Sequence, residues 1–349
     1  MIGFDHVSSM ASSEWLTSEL AANGYLLSGR VAAVDQRVSR IGATMTSTFY
    51  QLDINYTPDF AGTAPSSCLM KVGYPELFAV TKEEAAFYDR ARRNGPTDGL
   101  VTAFATAVSE DAQSAVILLE DRVDCHPPSE WPLPPTLDLC ERAIRSLATV
   151  HARWWNSPEL SDPLFERMTD RWMSAEERSK LLSSFFESLS DRLPQSRRTT
   201  LENLSDKYPD AVHRRLEQTN FQTLVHGDAH FWNFLYPADA SLRPVLIDWQ
   251  SFSVHFAAYD LAYMIGLHWF PERRERFEEA LLHAYHDELH TQGIDYSFDD
   301  LWFDYRLQVA GLLFLPIIQW SDKAPALIWW PHLERAFSVF DELDCRELL

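Results

Sequence analysis

The sequence predicts an α+β fold with two lobes, a small N-terminal lobe built on an antiparallel sheet and a larger, mainly helical C-terminal lobe. Before residue 122, five stretches predict strands, and in the first three of them β-branched and aromatic residues alternate with polar ones. These stretches are residues 31–38, 44–56, 68–72, 101–108 and 115–119. After Thr136 the apolar residues recur at helical spacing, and a proline-rich link at residues 126–135 indicates a hinge. We therefore divide the chain into residues 1–122 and 123–349.

Composition and charge limit the possible partners. The chain has 349 residues, of which 46% are hydrophobic and 23% charged, as in an ordinary globular protein with a substantial core. The formal net charge of -21 argues against nucleic acid or an anionic membrane as a partner, because both require a basic surface. The charge is compatible with a neutral or cationic small substrate, and equally with an acidic surface that is merely solvated.

The cysteines and apolar segments predict a cytoplasmic protein. The four cysteines form no CxxC pair, so neither a zinc site nor a disulfide framework is expected. The N-terminal residues lack the basic and apolar regions of a signal peptide. The longest apolar run, residues 309–318, is too short to cross a bilayer. The oligomeric state is left open.

A polar side chain lies next to one end of each of three short apolar runs. In LVHGDAHFWNFLY, residues 224–236, and VLIDWQ, residues 245–250, these runs predict strands. Asp228, Asn233 and Asp248 lie where the strands begin or end. The intervening turn carries Pro, Asp and Ser residues that close a hairpin, so Asn233 and Asp248 should lie near each other.

This arrangement predicts a magnesium site beside a proton acceptor. Mg²⁺ prefers hard oxygen ligands and is commonly held by one or two protein groups plus substrate phosphates, which Asn233 and Asp248 can supply. Asp228 is then free to orient an attacking hydroxyl and accept its proton. We expect His226 to stabilise this loop as a hydrogen-bonded structural residue. A zinc site of His226, Asp228 and His230 would require a helix, whereas the flanking residues predict strand and loop.

Lys71 lies in an apolar strand, and its compact positive charge is able to reach phosphate oxygens. Downstream, Thr81 and Glu84 have the spacing of a capping box, which predicts a helix that begins at Thr81. Glu84 shares a helical face with Phe87 and Tyr88, which directs it towards the core. From that face it can pair with Lys71.

The central motifs carry a resemblance to known kinases. The order Asp228, four residues, Asn233, strand, turn, strand, Asp248 resembles the catalytic loop and metal-binding Asp of protein kinases, with His-Gly-Asp in place of His-Arg-Asp. This departure is similar to the aminoglycoside phosphotransferase and choline kinase superfamily. The phrases LVHGD and LIDWQ resemble its ecdysteroid-kinase-like branch. The resemblance covers roughly residues 31–280 and implies a bilobal protein-kinase-like fold.

The resemblance implies that residues 1–122 form a lobe that binds ATP. The turn at Gly42 and Thr44 would cover the phosphates, although it contains a single glycine. Hydroxyl and backbone N–H groups there can still bind phosphate oxygens. The adenine would contact backbone groups of Leu119, Glu120 and Asp121.

The resemblance also implies roles for charged side chains. Lys71, fixed by Glu84, would neutralise charge on the ATP phosphates. In residues 123–349, the catalytic and acceptor-binding lobe, Asp260 would stabilise the catalytic loop. An acid at this position also suits the first turn of a helix, where the helix dipole favours negative charge.

The predicted activity is transfer of the γ-phosphate of ATP, with Mg²⁺, to a hydroxyl group of a small molecule. The motif His-Gly-Asp and the lack of an Ala-Pro-Glu activation segment after Asp248 favour a small acceptor over a protein. Aminoglycoside, choline-like, sterol and sugar acceptors remain open. Tryptophans of the second half are candidates to line the acceptor pocket, and Asp304 and Glu334 are candidates to bind an amine.

Three alternatives remain open on the sequence. One is a divergent protein kinase. Another is a kinase-shaped module that binds nucleotides without catalysis, because the turn at Gly42 is poor in glycine. The last is a metal-dependent hydrolase that uses His226, Asp228 and His230.

Overall fold

The computed structural model of the protein describes residues 11–93, 95, 98–219 and 221–349. The chain has an α+β fold that divides into two compact units. The first contains the described residues up to His126 together with Pro237–Ala240 and Val245–Ser251. The second contains Pro127–Tyr236, Ser241–Pro244 and Phe252–Leu349. The chain thus returns to the first unit after residue 236, and Asp248 lies on this return.

Strands dominate the first half of the chain and helices the second. The elements up to residue 126 are α1 (Ser13–Ala22), β1 (Leu26–Ser28), β2 (Val31–Ala43), β3 (Ser47–Tyr56), β4 (Ala61–Gly62), β5 (Ser67–Gly73), α2 (Phe78–Arg93), β6 (Ala103–Ser109), β7 (Ser114–Glu120) and β8 (Cys125–His126). The later elements are α3 (Leu137–Trp154), α4 (Ala175–Leu189), α5 (Gln195–Gln218), β9 (Gln222–Val225), β10 (Phe234–Pro237), β11 (Val245–Leu246), β12 (Ser253–Phe256), α6 (Ala258–Leu261), α7 (Pro271–Thr291), α8 (Phe298–Gly311), α9 (Leu315–Ser321) and α10 (Ala326–Glu342). A π-helical turn, Ala262–Leu267, continues α6.

The first unit is built on a five-stranded antiparallel sheet in the order β2-β3-β5-β7-β6. Lys71 of the central strand β5 lies in register with Phe49 of β3 and Ile117 of β7. Leu52 and Met70 are fully buried in a core that includes residues of α1. Helix α2 packs against β6 and β7. The five predicted strands are confirmed, and β5 and β7 in the middle of the sheet are buried along almost their whole length.

Helix α2 begins at Phe78, three residues before the predicted start at Thr81. A 3₁₀ turn ahead of Phe78 starts the helix early, so Thr81 lies inside it. Thr81 is buried, and its hydroxyl donates to the backbone carbonyl of Phe78 at 3.3 Å. A Cβ added to Gly73 would come within 2.3 Å of this hydroxyl oxygen. The predicted capping box is therefore wrong, because Thr81 serves as the contact between α2 and the end of β5.

Helices form most of the second unit around a short antiparallel pair, β9 and β12. Val225, the last residue of β9, lies opposite Ser253 of β12. Helix α3 packs against β9 and α7. The residues that follow Val225 therefore leave a fixed, buried strand end, which gives the next loop a rigid starting point.

One long apolar helical segment, Phe298–Ser321, has 24 residues and would be able to cross a membrane by length and composition alone. A 3₁₀ turn at Leu312–Phe314 interrupts this segment. Its most apolar stretch of 18 residues is 61% buried inside the protein. Such burial is typical of a core helix in a soluble protein. No second segment of this kind occurs among the described residues.

Candidate active site

Lys71 is held between two carboxylates in the first unit. Its ammonium nitrogen lies 2.6 Å from Oε2 of Glu84 and 2.9 Å from Oδ1 of Asp248. Lys71 and Glu84 are buried, whereas the side chain of Asp248 is 32% exposed. The ion pair predicted between Lys71 and Glu84 is confirmed. The second contact, with Asp248, was not predicted.

The two carboxylates keep Lys71 charged. Burial lowers the pKa of Lys71, but attraction by Glu84 and Asp248 outweighs this effect and the net pKa is raised. Burial raises the pKa of Glu84, and the Lys71 ammonium opposes that shift. A cation fixed in this way is suited to neutralise the charge of an anionic ligand, such as a phosphate.

The backbone at Asp248 has an unusual conformation that its neighbours hold in place. Asp248 has a φ of 69°, a left-handed value that is uncommon for a residue other than glycine. The ring of the next residue, Trp249, stacks on Phe87 of α2 with centroids 4.2 Å apart. The Trp249 indole N–H also donates to the carbonyl of Leu246 at 3.2 Å. Helix α2 thus supplies both Glu84 and the ring that orients the Asp248 segment.

In the second unit, the loop after β9 carries Asp228 in a network of hydrogen bonds. The Asp228 backbone N–H donates to Nδ1 of His226 at 3.2 Å, which agrees with a stabilising role for this buried histidine. The Asn233 amide donates to the Asp228 carbonyl at 2.9 Å. The Tyr263 hydroxyl donates to Oδ1 of Asp228 at 2.5 Å. Sequence reasoning missed Tyr263, although it lies three residues after Asp260.

Asp260 stabilises the same loop from α6. Its carboxylate accepts the backbone N–H of His226 at 2.7 Å and that of Gly227 at 3.0 Å. Gly227 has a φ of 83°, which a side chain would strain. His151 of α3 lies 3.1 Å from Asp260 through Nε2, and its Nδ1 lies 2.7 Å from the hydroxyl of Tyr285. The contact of Asp260 with the loop matches the expectation; His151 was missed, although a histidine on the apolar face of α3 was the available signal.

The candidate metal ligands have the donor chemistry that Mg²⁺ requires. Because the nitrogen of the Asn233 amide faces Asp228, its oxygen is directed away from the loop backbone. Asp248 is partly exposed and carries a hard carboxylate. Among the described residues no three His, Cys, Asp or Glu side chains form a group able to hold a metal. The three residues of the zinc-hydrolase alternative therefore do not form such a group. A magnesium ion bound largely by phosphates does not need three protein ligands of this kind.

The turn and the strand end that were predicted to contact ATP already form hydrogen bonds within the protein. In the turn between β2 and β3, Gly42 has a φ of 68°. The Thr44 hydroxyl donates to the carbonyl of Ser47 at 3.1 Å and accepts its N–H at 3.2 Å. Thr44 therefore stabilises the turn.

At the end of β7, Leu119 is paired with strands on both sides. The N–H of Glu120 donates to the Thr102 carbonyl at 2.8 Å, so adenine would not use that donor. Asp121 lies 4.0 Å from Arg40. The assignment of these three residues to adenine stays a prediction.

The second unit also contains an apolar cavity of about 220 Å³. Aromatic and aliphatic side chains line it, with Trp172, Tyr208, Tyr259 and Phe314 among them. Two cations lie in the same lining: Arg171 is paired with Glu166 at 2.7 Å, whereas Arg178 donates to the Met173 carbonyl at 2.6 Å. The cavity is thus suited to a largely apolar group.

The two acids suggested for amine binding are engaged within the protein. Asp304 is fully buried, with Arg215 at 2.6 Å and the Tyr296 hydroxyl at 2.7 Å. Glu334 receives both terminal nitrogens of Arg197, at 2.8 and 2.9 Å. The interpretation of Asp304 as an amine-binding acid is wrong, because the carboxylate has no access to solvent and already compensates a cation.

The sequence pattern of the ecdysteroid kinase-like family matches residues 75–295 of the chain. No curated protein sequence matches the chain. A Ralstonia eutropha protein provisionally assigned as an aminoglycoside phosphotransferase has a similar structure, with a TM-score of 0.56 at 15% identity over 97% of this chain and 98% of the other.

Two further solved structures share the fold. Macrolide 2'-phosphotransferase MphH from Brachybacterium faecium has a TM-score of 0.52 at 13% identity, over 93% of this chain and 97% of the other. Choline kinase LicA from Streptococcus pneumoniae has a TM-score of 0.51 at 14% identity, over 97% and 99%. At such identities the likeness establishes the kinase-like fold and leaves the substrate open.

Proposed function

The chain belongs to the ecdysteroid kinase-like family, and on that premise we propose that it transfers the γ-phosphate of ATP to a hydroxyl group of a small molecule in a magnesium-dependent reaction. The observation that carries the proposal is the placement of Lys71 between Glu84 and Asp248. A buried lysine costs desolvation energy, and two carboxylates that keep it charged suit the binding of a polyphosphate.

In this proposal Asp228 is the proton acceptor. As the acceptor oxygen forms its bond to the γ-phosphorus, the proton of its hydroxyl passes to the Asp228 carboxylate. The bond between the γ-phosphorus and the bridging oxygen breaks, and ADP leaves. General-base assistance of this kind contributes roughly 10²–10⁴ in rate.

Other side chains would bind and orient the nucleotide. Asn233 and Asp248 would hold Mg²⁺, which supplies charge neutralisation at the phosphates when it is bound. Lys71 would contribute a fixed positive charge beside them. The four cysteines are free, in keeping with the cytoplasmic location that we propose.

The proposal is tested by coupled measurement of ADP release with ATP, magnesium and a panel of hydroxylated small molecules. The panel contains aminoglycosides, choline-like amines, sugars and sterols; neutral apolar alcohols are included because the cavity in the second unit has an apolar lining. A denatured protein mixture serves as the acceptor that would reveal a protein kinase.

The matched variants are Asp228→Ala and Asp206→Ala, since Asp206 is an exposed residue of α5. We expect acceptor-dependent ADP release to fall by at least about 100-fold in Asp228→Ala and to be unchanged in Asp206→Ala. Equal activity of the two variants would remove Asp228 from the reaction.

A nucleotide-binding module without catalysis is the second candidate. The engagement of the Thr44 hydroxyl in its own turn favours it, because this side chain then has less capacity for phosphate. If Mg·ATP raises the unfolding temperature of both the wild type and Asp228→Ala, but no acceptor raises ADP release, the module is favoured.

A further inference from the structure

Asp228 receives hydrogen bonds of very different length on its two carboxylate oxygens. The Tyr263 hydroxyl donates to Oδ1 at 2.5 Å. The Asn233 amide nitrogen lies 3.4 Å from Oδ2, while its shorter bond, 2.9 Å, goes to the Asp228 backbone carbonyl. A short bond from a hydroxyl to a carboxylate is charge-assisted and strong. Tyr263 is therefore the main side-chain contact that fixes the orientation of this carboxylate.

The Tyr263 phenol stays protonated beside this carboxylate. Burial, together with the nearby charge of Asp228, raises the pKa of the Tyr263 phenol well above 10, so the hydroxyl keeps its proton at neutral pH. The residue is only 7% exposed. Because the hydroxyl remains protonated, it can donate to Oδ1 of Asp228 at neutral pH.

The backbone around Tyr263 is itself held in an uncommon conformation. Tyr263 lies in the π-helical turn Ala262–Leu267, and such turns are frequent at functional sites. Nδ1 of His268 lies 2.9 Å from the Tyr263 carbonyl, and the two rings are 5.0 Å apart. Burial, followed by the charge of His230, lowers the pKa of His268 well below 6.5, so the imidazole is neutral and Nδ1 carries the donated hydrogen. His268 thus fixes the turn that presents Tyr263.

We propose that Tyr263 is the positioning residue of Asp228: by holding Oδ1, it directs Oδ2 towards the acceptor hydroxyl. This inference rests on the proposed phosphotransfer function. The proton of the acceptor passes to Oδ2, whereas Tyr263 retains its own proton and takes no part in the transfer. Without the phenol, the carboxylate can rotate about its last bond, and a smaller fraction of molecules has the productive geometry.

The test compares Tyr263→Phe with Tyr305→Phe. Tyr305 is a fully buried phenol of α8, and its hydroxyl donates to Oε1 of Glu278 at 2.5 Å, the same length as the bond from Tyr263 to Asp228. We expect Tyr263→Phe to lower kcat roughly 10- to 100-fold with the KM values for ATP and acceptor within about twofold of wild type. Tyr305→Phe should keep kcat within about threefold, because it removes an equally short bond to a carboxylate but leaves the bond to Asp228 intact.

A double-mutant cycle separates positioning from a merely structural role. In an Asp228→Asn background there is no base to orient, so Tyr263→Phe should produce no further loss of kcat. Additive losses, or equal losses in the two tyrosine variants, would overturn the inference while leaving the phosphotransferase function intact. A wild-type protein that releases no ADP with any acceptor would instead overturn the proposed function, and this inference with it.

Discussion

Lys71 illustrates what a single buried charge requires of its surroundings. An ammonium group in a sheet interior is stable only if opposite charges lie close to it, and here Glu84 and Asp248 are both within 2.9 Å. The apolar residues around Lys71 and the helical spacing of Glu84 predicted one of these partners. The contact of Lys71 with Asp248 could not be predicted, because it depends on a backbone conformation with a positive φ.

Glu84→Gln should remove a charge without removing volume. We expect the free energy of unfolding to fall by about 3 kcal/mol, because Lys71 would keep only one carboxylate partner in a buried site. The KM for ATP should rise, since the ammonium would be less firmly placed. Denaturation by urea and steady-state kinetics measure the two effects.

The control for this variant is the preceding residue. Glu83→Gln carries the same chemical change on the exposed face of α2. We expect its effect on stability to remain within about 0.5 kcal/mol. Similar losses in Glu83→Gln and Glu84→Gln would mean that net charge, and not the ion pair, determines the outcome.

Helix α2 connects the sheet to the candidate site. The helix starts three residues before the position that the sequence predicts. Thr81 and Glu84 have the spacing of a capping box, but the 3₁₀ turn ahead of Phe78 already begins the helix. Periodicity nevertheless predicted the buried face correctly, since Glu84 and Phe87 both point inwards. The strand predictions were confirmed because short apolar or alternating runs indicate strands, whereas the ends of an element depend on tertiary contacts.

Gly73→Ala should separate α2 from β5. The added Cβ would lie 2.3 Å from the hydroxyl oxygen of Thr81, which is much closer than a van der Waals contact permits. We expect a loss of stability of about 1–3 kcal/mol and a decrease in kcat/KM for ATP, because α2 carries the partner of Lys71. Thermal unfolding and kinetics measure these changes.

Gly266→Ala is the matched control for this clash. Its Cβ would meet no atom closer than 3.4 Å, and its φ is not in the left-handed region, so the same chemical change should cost clearly less stability. Equal stability of the two alanine variants would mean that Thr81 can move aside. The contact between Gly73 and Thr81 would then not determine the position of α2.

Buried histidines make the stability of the whole protein depend on pH. Among the described residues, burial lowers the pKa of His255 to about 4 and that of His332 to about 4. His255 is fully buried, and its Nε2 lies 2.8 Å from Oε1 of Gln308 in α8. Unfolding releases such residues to water, where they bind protons near pH 6.5. Acid should therefore favour the unfolded chain.

His255→Gln isolates one part of this effect. Because the folded pKa of His255, about 4, lies below the unfolded value of about 6.5, its contribution to stability is complete above pH 6.5 and is lost as the pH falls towards 4. Between pH 7.5 and pH 5 the wild type should lose about 2 kcal/mol more stability than His255→Gln. Urea denaturation at both pH values measures the difference.

The control is Thr199→Ala on the exposed surface of α5, a change that removes no titratable group. It should follow the wild-type dependence of stability on pH. A His255→Gln variant that did the same would contradict the assignment of His255 as a buried, neutral histidine.

The sequence by itself determined the α+β class, the strand and helix faces and the spacing of Asp228, Asn233 and Asp248, because alternation, helical period and motif spacing are local properties. Only the tertiary structure decided which distant groups meet. Lys71 reaches Asp248 across 177 residues, Asp260 reaches His151 across 109, and Tyr263 reaches Asp228 across 35. The periodicity of a strand or helix constrains neighbours within a few residues, so it carries no information on such pairs. They form because buried charges and hydroxyl groups must find partners once the core excludes water.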